Sequence, residues 1–562
     1  MDYKAYIAEK IKVDGVEASQ IRGMIAVPPT REMGDYALPC FPFAKVLRKS
    51  PAMIAEELAK TIAPDNVIES VTALSGYLNF RISRFGLTSA VLKEVAEQGE
   101  TYGSSTEGDG KVICIDYSSI NIAKPFHIGH LLTTVIGGAL YRIFNFLGYK
   151  AVGINHLGDW GTQFGKLISA YKRWGDEEKI QSGRVRELMK IYVRFHEEAE
   201  KNPALEEEAR GYFKKIEEGD EECLRLFHWF RDLTLLDVQK IYDLLNIKFD
   251  SYAGESFYND KMQPVIDRLQ EKGLLKESDG AKVVDLEEHG MPPCLILKAD
   301  GATLYATRDL AAAYYRKQTY DFYKCLYVVA YQQNLHFKQI FKVLDLLGED
   351  FAGDMEHVAF GMVSLASGAM STRKGNVVFL EDVIETCIQK SRELMDERNR
   401  ELENKEEVSR MVGTAAVIFG ALLSSKIKDV VFDINKVTNF DGETGPYVQY
   451  TAARCASVLE KAGDFAFNPE TACPVTDAEF EVASLLASFP ETVKNAAEKR
   501  EPSFVTRFAV DLAQAYNKFY FECKILDAEP EIKSMRLALT KATHTVIKTA
   551  LALLGIETPQ RM

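Results

Sequence analysis

No two of the nine cysteines, at positions 40, 114, 223, 294, 325, 387, 455, 473 and 523, form a Cys-x-x-Cys pair. A zinc ribbon or redox dithiol is thereby excluded, and scattered, reduced, mostly buried thiols are expected. No apolar run approaches the roughly 20 residues that a membrane-spanning helix needs. The start, Met1-Asp2-Tyr3-Lys4-Ala5-Tyr6, lacks the basic region and apolar stretch of a secretory signal. A cytoplasmic protein without a membrane partner is the expectation. Positive charge is also short. Sixty-eight Lys and Arg stand against 82 Asp and Glu, for a net −14. That argues against coating nucleic acid through bulk charge, and leaves RNA binding through local basic surfaces open. Repeats and low-complexity tracts are missing too.

What remains reads as globular protein, 46% hydrophobic and 27% charged. A chain of 562 residues exceeds one hydrophobic core. Residues 1–105 mix a helical pattern, Ala52 to Ile62, with strand-like runs at Val67 to Leu74 and Tyr77 to Ile82. Gly103 to Gly110 reads as a polar linker. The β-branched run Lys111 to Tyr117 reads as a buried parallel strand, Gly129 to Leu147 as a helix and Tyr149 to Asn155 as the next strand. Long charged helices from 171 to about 290 interrupt this unit. Strand-like runs at Cys294 to Leu297, Cys325 to Val329 and Val358 to Phe360 are expected to complete the same sheet. From about 376 the pattern is helical throughout, with Phe465 to Asp477 separating two helical units.

The polar loop after the first strand, Ser118-Ser119-Ile120-Asn121-Ile122-Ala123-Lys124-Pro125, runs into Phe126-His127-Ile128-Gly129-His130. A helix start offers free N–H groups and the positive end of its dipole, a natural phosphate site. Two histidines three apart share a helical face and can both donate to phosphate. Gly129 leaves room for a flat base, and Lys124 adds a point charge. Alone, a His-x-x-His pair is weak evidence. Its position after a buried strand and an Asn/Lys/Pro loop strengthens it.

This block resembles the signature of class I aminoacyl-tRNA synthetases. The longer string Asn121 to His130 is similar to the arginyl enzymes in particular, as is Asn155-His156-Leu157-Gly158-Asp159-Trp160-Gly161-Thr162-Gln163-Phe164-Gly165. The resemblance covers nearly the whole chain. It implies a multidomain α/β protein: an α+β N-terminal tRNA-binding domain (1–105), a doubly wound parallel-sheet, Rossmann-like catalytic domain (106–375) with its insertion at about 171–290, a helical connecting region (376–470) and an all-α anticodon-binding domain (471–562). Implied partners are ATP with Mg²⁺ as substrate, L-arginine and tRNA(Arg). A monomer with no protein-bound metal is expected, and the first step should require bound tRNA.

The second class I loop, usually Lys-Met-Ser-Lys-Ser, matches Ala369-Met370-Ser371-Thr372-Arg373-Lys374-Gly375. Ala369 and Thr372 stand where the two lysines belong, while Arg373 and Lys374 still supply charge. ATP binding is thus assigned to His127, Gly129, His130, Met370, Ser371 and Lys374, and catalysis to Lys124, His127, His130, Arg373 and Lys374. A guanidinium is best read by a carboxylate accepting two parallel N–H bonds. The resemblance implies arginine contacts at Asp116, Ser119, Asn121, Tyr305, Asp309 and Gln333. Tyr305 and Asp309, four apart, share a face if helical and are preferred for the guanidinium; Asn121 and Gln333 are preferred for the α-amino and carboxylate groups. Asp309 has a structural alternative, pairing with Arg308 or Arg316. Two rival readings are another class I synthetase and an RNA-binding relative that has lost catalysis. Because the second loop is incomplete, Lys124 is expected to share the stabilisation of transition-state charge. Lys124→Met should therefore lower the activation rate far more than ATP binding in pyrophosphate-exchange kinetics; an unchanged rate contradicts this.

Overall fold

The computed structural model describes residues 3–65, 67–122, 124–299, 305–365, 378–398 and 402–562. By its own contacts the chain divides into two units. One comprises 1–102, 454–490 and 511–548; the other comprises 103–453, 491–510 and 549–562.

The first unit holds a three-stranded antiparallel sheet of β1 (Tyr36–Pro39), β2 (Ile68–Leu74) and β3 (Tyr77–Ile82), in the order β1-β3-β2. Helix Pro51–Thr61 packs on it through Ile54, Ala55 and Leu58. Its start is written locally: the Ser50 hydroxyl accepts from Met53 N at 3.3 Å, and Pro51 takes the first turn. β2, β3 and this helix lie where the sequence pattern places them; β1 is not among the strands expected from sequence. The C-terminal helices of this unit are filled by Tyr516 and Phe519, both fully buried, while Tyr520 is half-exposed and Phe521 is 91% exposed.

The second unit is built on β4 (Val112–Asp116) and β5 (Lys150–Ile154), joined by helix Leu131–Phe146. β6 (Leu275–Ser278), β7 (Ala281–Val284) and β8 (Cys294–Leu297) follow, then β9 (Lys324–Tyr327), β10 (Met355–His357), β11 (Val363–Leu365) and β12 (Val430–Phe432). The main sheet is parallel, in the order β10-β9-β4-β5, with Cys114 level with both Val152 and Cys325. Its core gathers Cys114, Val152, Leu310, Cys325, Phe337 and Ile340. The insertion is chiefly helical: Thr162–Trp174, Glu177–Lys201, Ala204–Glu217 and Glu221–Leu244. The 103–110 segment is tied down, with Gly108 N donating to Leu147 O at 3.0 Å. Eight of the nine cysteines are buried and Cys473 is half-buried, all as free thiols. Among the described residues, no helix is long and apolar enough to cross a membrane.

Two strand expectations need correction. Cys294–Leu297 does not join the parallel sheet; it pairs antiparallel with β7. Its exposure alternates, Cys294 2%, Leu295 41% and Ile296 0%, the signature of a strand covered on one face only. Val358 to Phe360 does extend the pairing, since Val358 N donates to Tyr327 O at 2.8 Å and Phe360 bridges Ala330 in parallel, just past the edge strand Met355–His357 that lies against β9. The region after 376 is not wholly helical, since Val430–Phe432 pairs in parallel with Val363–Leu365.

Gly137 decides how closely the crossover helix approaches the sheet. A Cβ there would stand 2.2 Å from both Cβ and Cγ of Tyr117. Gly137→Ala should therefore cost about 1–3 kcal/mol in denaturant unfolding by overpacking; wild-type stability in this variant contradicts so close a contact.

Candidate active site

The site begins where β4 ends. Ser118 and Ser119 both adopt left-handed backbone, at φ 69° and 43°. Such residues cost about 1–2 kcal/mol each and must be held from outside. Ser118 N donates to Thr133 Oγ1 at 3.0 Å, and that hydroxyl donates to Val328 O at 2.7 Å. Ser118 Oγ lies 2.9 Å from Thr134 Oγ1 and 2.8 Å from Tyr242 Oη. Asp116, just upstream, is buried. Arg316 Nη2 donates to its Oδ2 at 2.6 Å, and Ser119 Oγ donates to its Oδ1 at 2.6 Å. The expected substrate carboxylate thus already carries a guanidinium, that of the chain's own Arg316, whose Cζ lies 5.2 Å from the Tyr327 ring centre.

Backbone pairing clamps the following loop on two sides. Gly158 N donates to Ile120 O at 2.8 Å, and Ile122 N to Gly158 O at 3.1 Å. A Cβ at 158 would meet Asn121 Oδ1 at 2.6 Å, so glycine lets the 155–165 block lie against Asn121. On the other side, Ile128 N donates to Val378 O at 3.2 Å and Leu380 N to Phe126 O at 2.9 Å. Residues 378–380, which follow the segment likened to the second class I loop, are thus hydrogen-bonded to the His-Ile-Gly-His turn. Met370, Ser371, Arg373 and Lys374 lie outside the described residues.

The turn itself is a 3-10 helix, Ile128–His130, ahead of the α-helix. In that geometry residues i and i+3 eclipse, and the His127 and His130 rings lie against each other, tilted by 31° with centroids 3.9 Å apart. His127 Nδ1 accepts from Gly129 N at 3.0 Å, and His130 Nδ1 accepts from His127 N at 3.2 Å. Each ring nitrogen used as acceptor leaves the proton on Nε2, so both rings offer an N–H donor. A Cβ at 129 would stand 2.7 Å from His127 Cε1; glycine here serves the folded-back ring directly. Burial, with the Lys124 charge nearby, pushes His127 down to about 4. Burial and the His127 ring beside it hold His130 well below the ordinary range. The pair acts as neutral donors.

The residues expected to contact the amino acid lie on helix Tyr305–Tyr320 and in the turn after β9. Tyr305 is 66% exposed at the helix start, and Asp309 lies one turn on, so the two share a face as expected. Asn121 and Gln333 are exposed, Gln333 closing the short turn Tyr331–Gln333. Asp309 pairs with neither Arg308 nor Arg316. His336 Nε2 lies 2.6 Å from its Oδ2, and His156 Nε2 lies 3.9 Å from its Oδ1. Burial pushes the Asp309 carboxyl up, but His336, His156 and Arg316 outweigh burial and hold it below the ordinary range. Arg308 turns instead to Asn259 Oδ1 at 3.4 Å and Glu255 Oε2 at 3.7 Å. His336 and Glu255 were not singled out from sequence, and Arg316 was named only as a possible partner of Asp309. Their one signal is a charged or imidazole side chain within an otherwise apolar or short polar run. Among the described residues, no group of three or more His, Cys, Asp or Glu side chains could hold a metal ion.

A depressed histidine pKa has a defined consequence. Between about 4 and 6.5 the unfolded chain binds the His127 proton and the folded chain does not, so stability is full above that window and falls with pH inside it. His127 should contribute about 3 kcal/mol to this loss. His127→Gln should show a shallower pH slope of unfolding free energy from pH 6.5 to 4; equal slopes contradict the burial account.

Comparison with known proteins agrees along the whole chain. Residues 91–434 match the family of class I (R) tRNA synthetase catalytic domains, 448–562 the DALR anticodon binding domain and 1–82 the arginyl tRNA synthetase N terminal domain. The arginine–tRNA ligase of Clostridium botulinum is 52% identical over 564 residues, with both chains covered in full, and that of Halothermothrix orenii is 51% identical over 565. Among solved structures, the Thermus thermophilus arginyl-tRNA synthetase superposes with a TM-score of 0.82 at 26% identity, covering 100% of this chain and 99% of that one. The Plasmodium falciparum enzyme shares the fold at a TM-score of 0.80 and 21% identity, covering 100% and 98%. With a His-Ile-Gly-His turn on a parallel sheet and relatives matching from end to end, the chain belongs to the arginyl-tRNA synthetase family of class I.

Proposed function

We propose that this chain activates L-arginine with ATP and transfers it to tRNA(Arg). The arginine carboxylate attacks the α-phosphorus of ATP, the α–β phosphoanhydride bond breaks, and pyrophosphate leaves. A terminal ribose hydroxyl of the tRNA then attacks the arginyl carbonyl, and AMP leaves. Positioning and charge stabilisation carry both steps, with no covalent intermediate on the protein. Magnesium enters with ATP as part of the substrate. The reading places the protein in the cytoplasm as a monomer.

The observation that carries it is the pair of neutral Nε2–H donors at His127 and His130, stitched to the exit of the second class I loop at Val378–Leu380. Neutral imidazoles hydrogen-bond phosphate oxygens without a charge that must later be released. Lys124, whose charge is felt at both rings, supplies a cation beside them, and Arg373 and Lys374 add theirs from the second loop. Met370, Ser371 and Gly129 complete the ATP set. Tyr305 and Asp309 are placed at the guanidinium, and Asn121, Ser119 and Gln333 nearer the α-amino and carboxylate groups. A site built from acceptors rejects amino acids that lack matching donors, on the order of 10⁴-fold, so hydrolytic editing is not needed. Residues 1–105 and 471–562 are assigned to tRNA, the latter to the anticodon. Exposed Phe521, and Tyr520 with Arg454 5.1 Å from its ring centre, suit base stacking; buried Tyr516 and Phe519 are core.

ATP–pyrophosphate exchange with each amino acid, with and without tRNA, tests the proposal. Exchange is expected with arginine alone and only when tRNA is present; exchange with another amino acid, or none at all, overturns it.

A further inference from the structure

Tyr242 brings a buried hydroxyl from the charged insertion to the residues that launch the polar loop. It lies in the last turn of helix Glu221–Leu244 and is 1% exposed. Its ring meets Phe126 and Phe249 edge-on, with centroids 5.6 and 5.0 Å apart. Its Oη lies 2.8 Å from Ser118 Oγ and accepts from Asn155 Nδ2 at 2.9 Å. Asn155 follows β5, is fully buried and opens the 155–165 block. Among the described residues its Oδ1 has no hydrogen-bond partner, so the amide is held through Nδ2.

A hydroxyl has one proton to give, and this sets the direction of each bond. Thr134 Oγ1 donates to His130 O at 2.8 Å, so toward Ser118 Oγ, 2.9 Å away, it can only accept. Ser118 therefore gives its proton to Thr134 and accepts from Tyr242. Tyr242 in turn accepts from the Asn155 amide. The chain runs one way, from Asn155 through Tyr242, Ser118 and Thr134 to the His130 carbonyl. Bonds in such a chain polarise one another, and losing one link leaves buried polar groups unsatisfied. It joins the start of the 155–165 block, the left-handed residue before Ser119, at φ 69°, and the turn that carries both histidine rings. Of its members, Tyr242 alone comes from the insertion; the others lie on or beside β4, β5 and the helix between them.

We propose that Tyr242 is a positioning residue for adenylate formation, whose hydroxyl holds Ser118 in its left-handed conformation and so sets Ser119 and the His-Ile-Gly-His turn relative to each other. This rests on the reading that the chain activates arginine. Through that one oxygen atom the insertion helix enters the geometry of the site without touching substrate.

The test uses the full-length enzyme with tRNA. Tyr242→Phe removes the oxygen and keeps both ring contacts. It should lower kcat for arginine-dependent pyrophosphate exchange roughly 10- to 100-fold, the scale of a small misplacement of reacting groups. KM for arginine and for ATP should each stay within about threefold. Ser118→Ala breaks the same chain, so the double variant should be about as slow as the slower single one. Amide hydrogen exchange read by mass spectrometry should quicken in residues 117–131 and 155–165, while the rest of the chain keeps the wild-type rate. A wild-type kcat in Tyr242→Phe overturns the proposal. So do losses that multiply in the double variant, or amide exchange that quickens throughout the chain, which marks a general structural role. If the wild-type enzyme does not activate arginine, the substrate reading falls, and amide exchange at 117–131 decides the positioning role by itself.

Discussion

The buried pair between Asp116 and Arg316 couples the two halves of the site. Its partners are 2.6 Å apart, with side chains 7% and 1% exposed, and 200 residues separate them in sequence. One end belongs to the last residue of β4, the other to helix Tyr305–Tyr320. Through Ser119, Asp116 steadies the left-handed turn that launches the His-Ile-Gly-His loop. Through the helix, Arg316 holds the segment that carries Arg308 and Asp309. Removing one partner of such a pair costs about 3–5 kcal/mol, because the other is left charged and buried. Desolvation cancels much of the pair's net contribution to stability, so its importance is positional.

That constraint explains the charge arrangement around it. The side proposed for the phosphates offers uncharged N–H donors at His127 and His130, kept neutral by burial, with Lys124 as a nearby cation. The side proposed for the amino acid carries carboxyl groups, of which Asp309 is held below the ordinary range by His336, His156 and Arg316, and Glu255 stands 3.7 Å from Arg308. A zwitterionic substrate with a cationic side chain meets acceptors at one end and positive charge at the other. Little is left for the protein to do chemically beyond holding the reacting atoms in line, which is what adenylate formation requires.

Much of this was legible in the residues. The β-branched run before Asp116, the polar loop, the helix and Tyr149 to Asn155 mark a strand–helix–strand unit by period alone. The Asn121–His130 and Asn155–Gly165 strings identify the family. Other features depend on packing that sequence does not display. Cys294-Leu295-Ile296-Leu297 is as apolar as a buried parallel strand; only its neighbours show that Leu295 faces outward. Asp309 stands beside Arg308 in sequence, yet successive helix residues point about 100° apart, and its real partner lies 27 residues on, at His336. The histidine pair reads as one face of an α-helix, but the 3-10 turn brings the rings into contact and fixes their tautomers. Glu255 sits in a short polar stretch after a charged insertion, where nothing local separates it from many solvated glutamates.

The most direct measurement is a crystal structure with a non-hydrolysable arginyl-adenylate analogue. The account predicts the phosphate within hydrogen-bond reach of Nε2 of His127 and His130, the guanidinium at Asp309, and Asp116 still bound to Arg316. A guanidinium seated on Asp116, with Arg316 displaced, would contradict it.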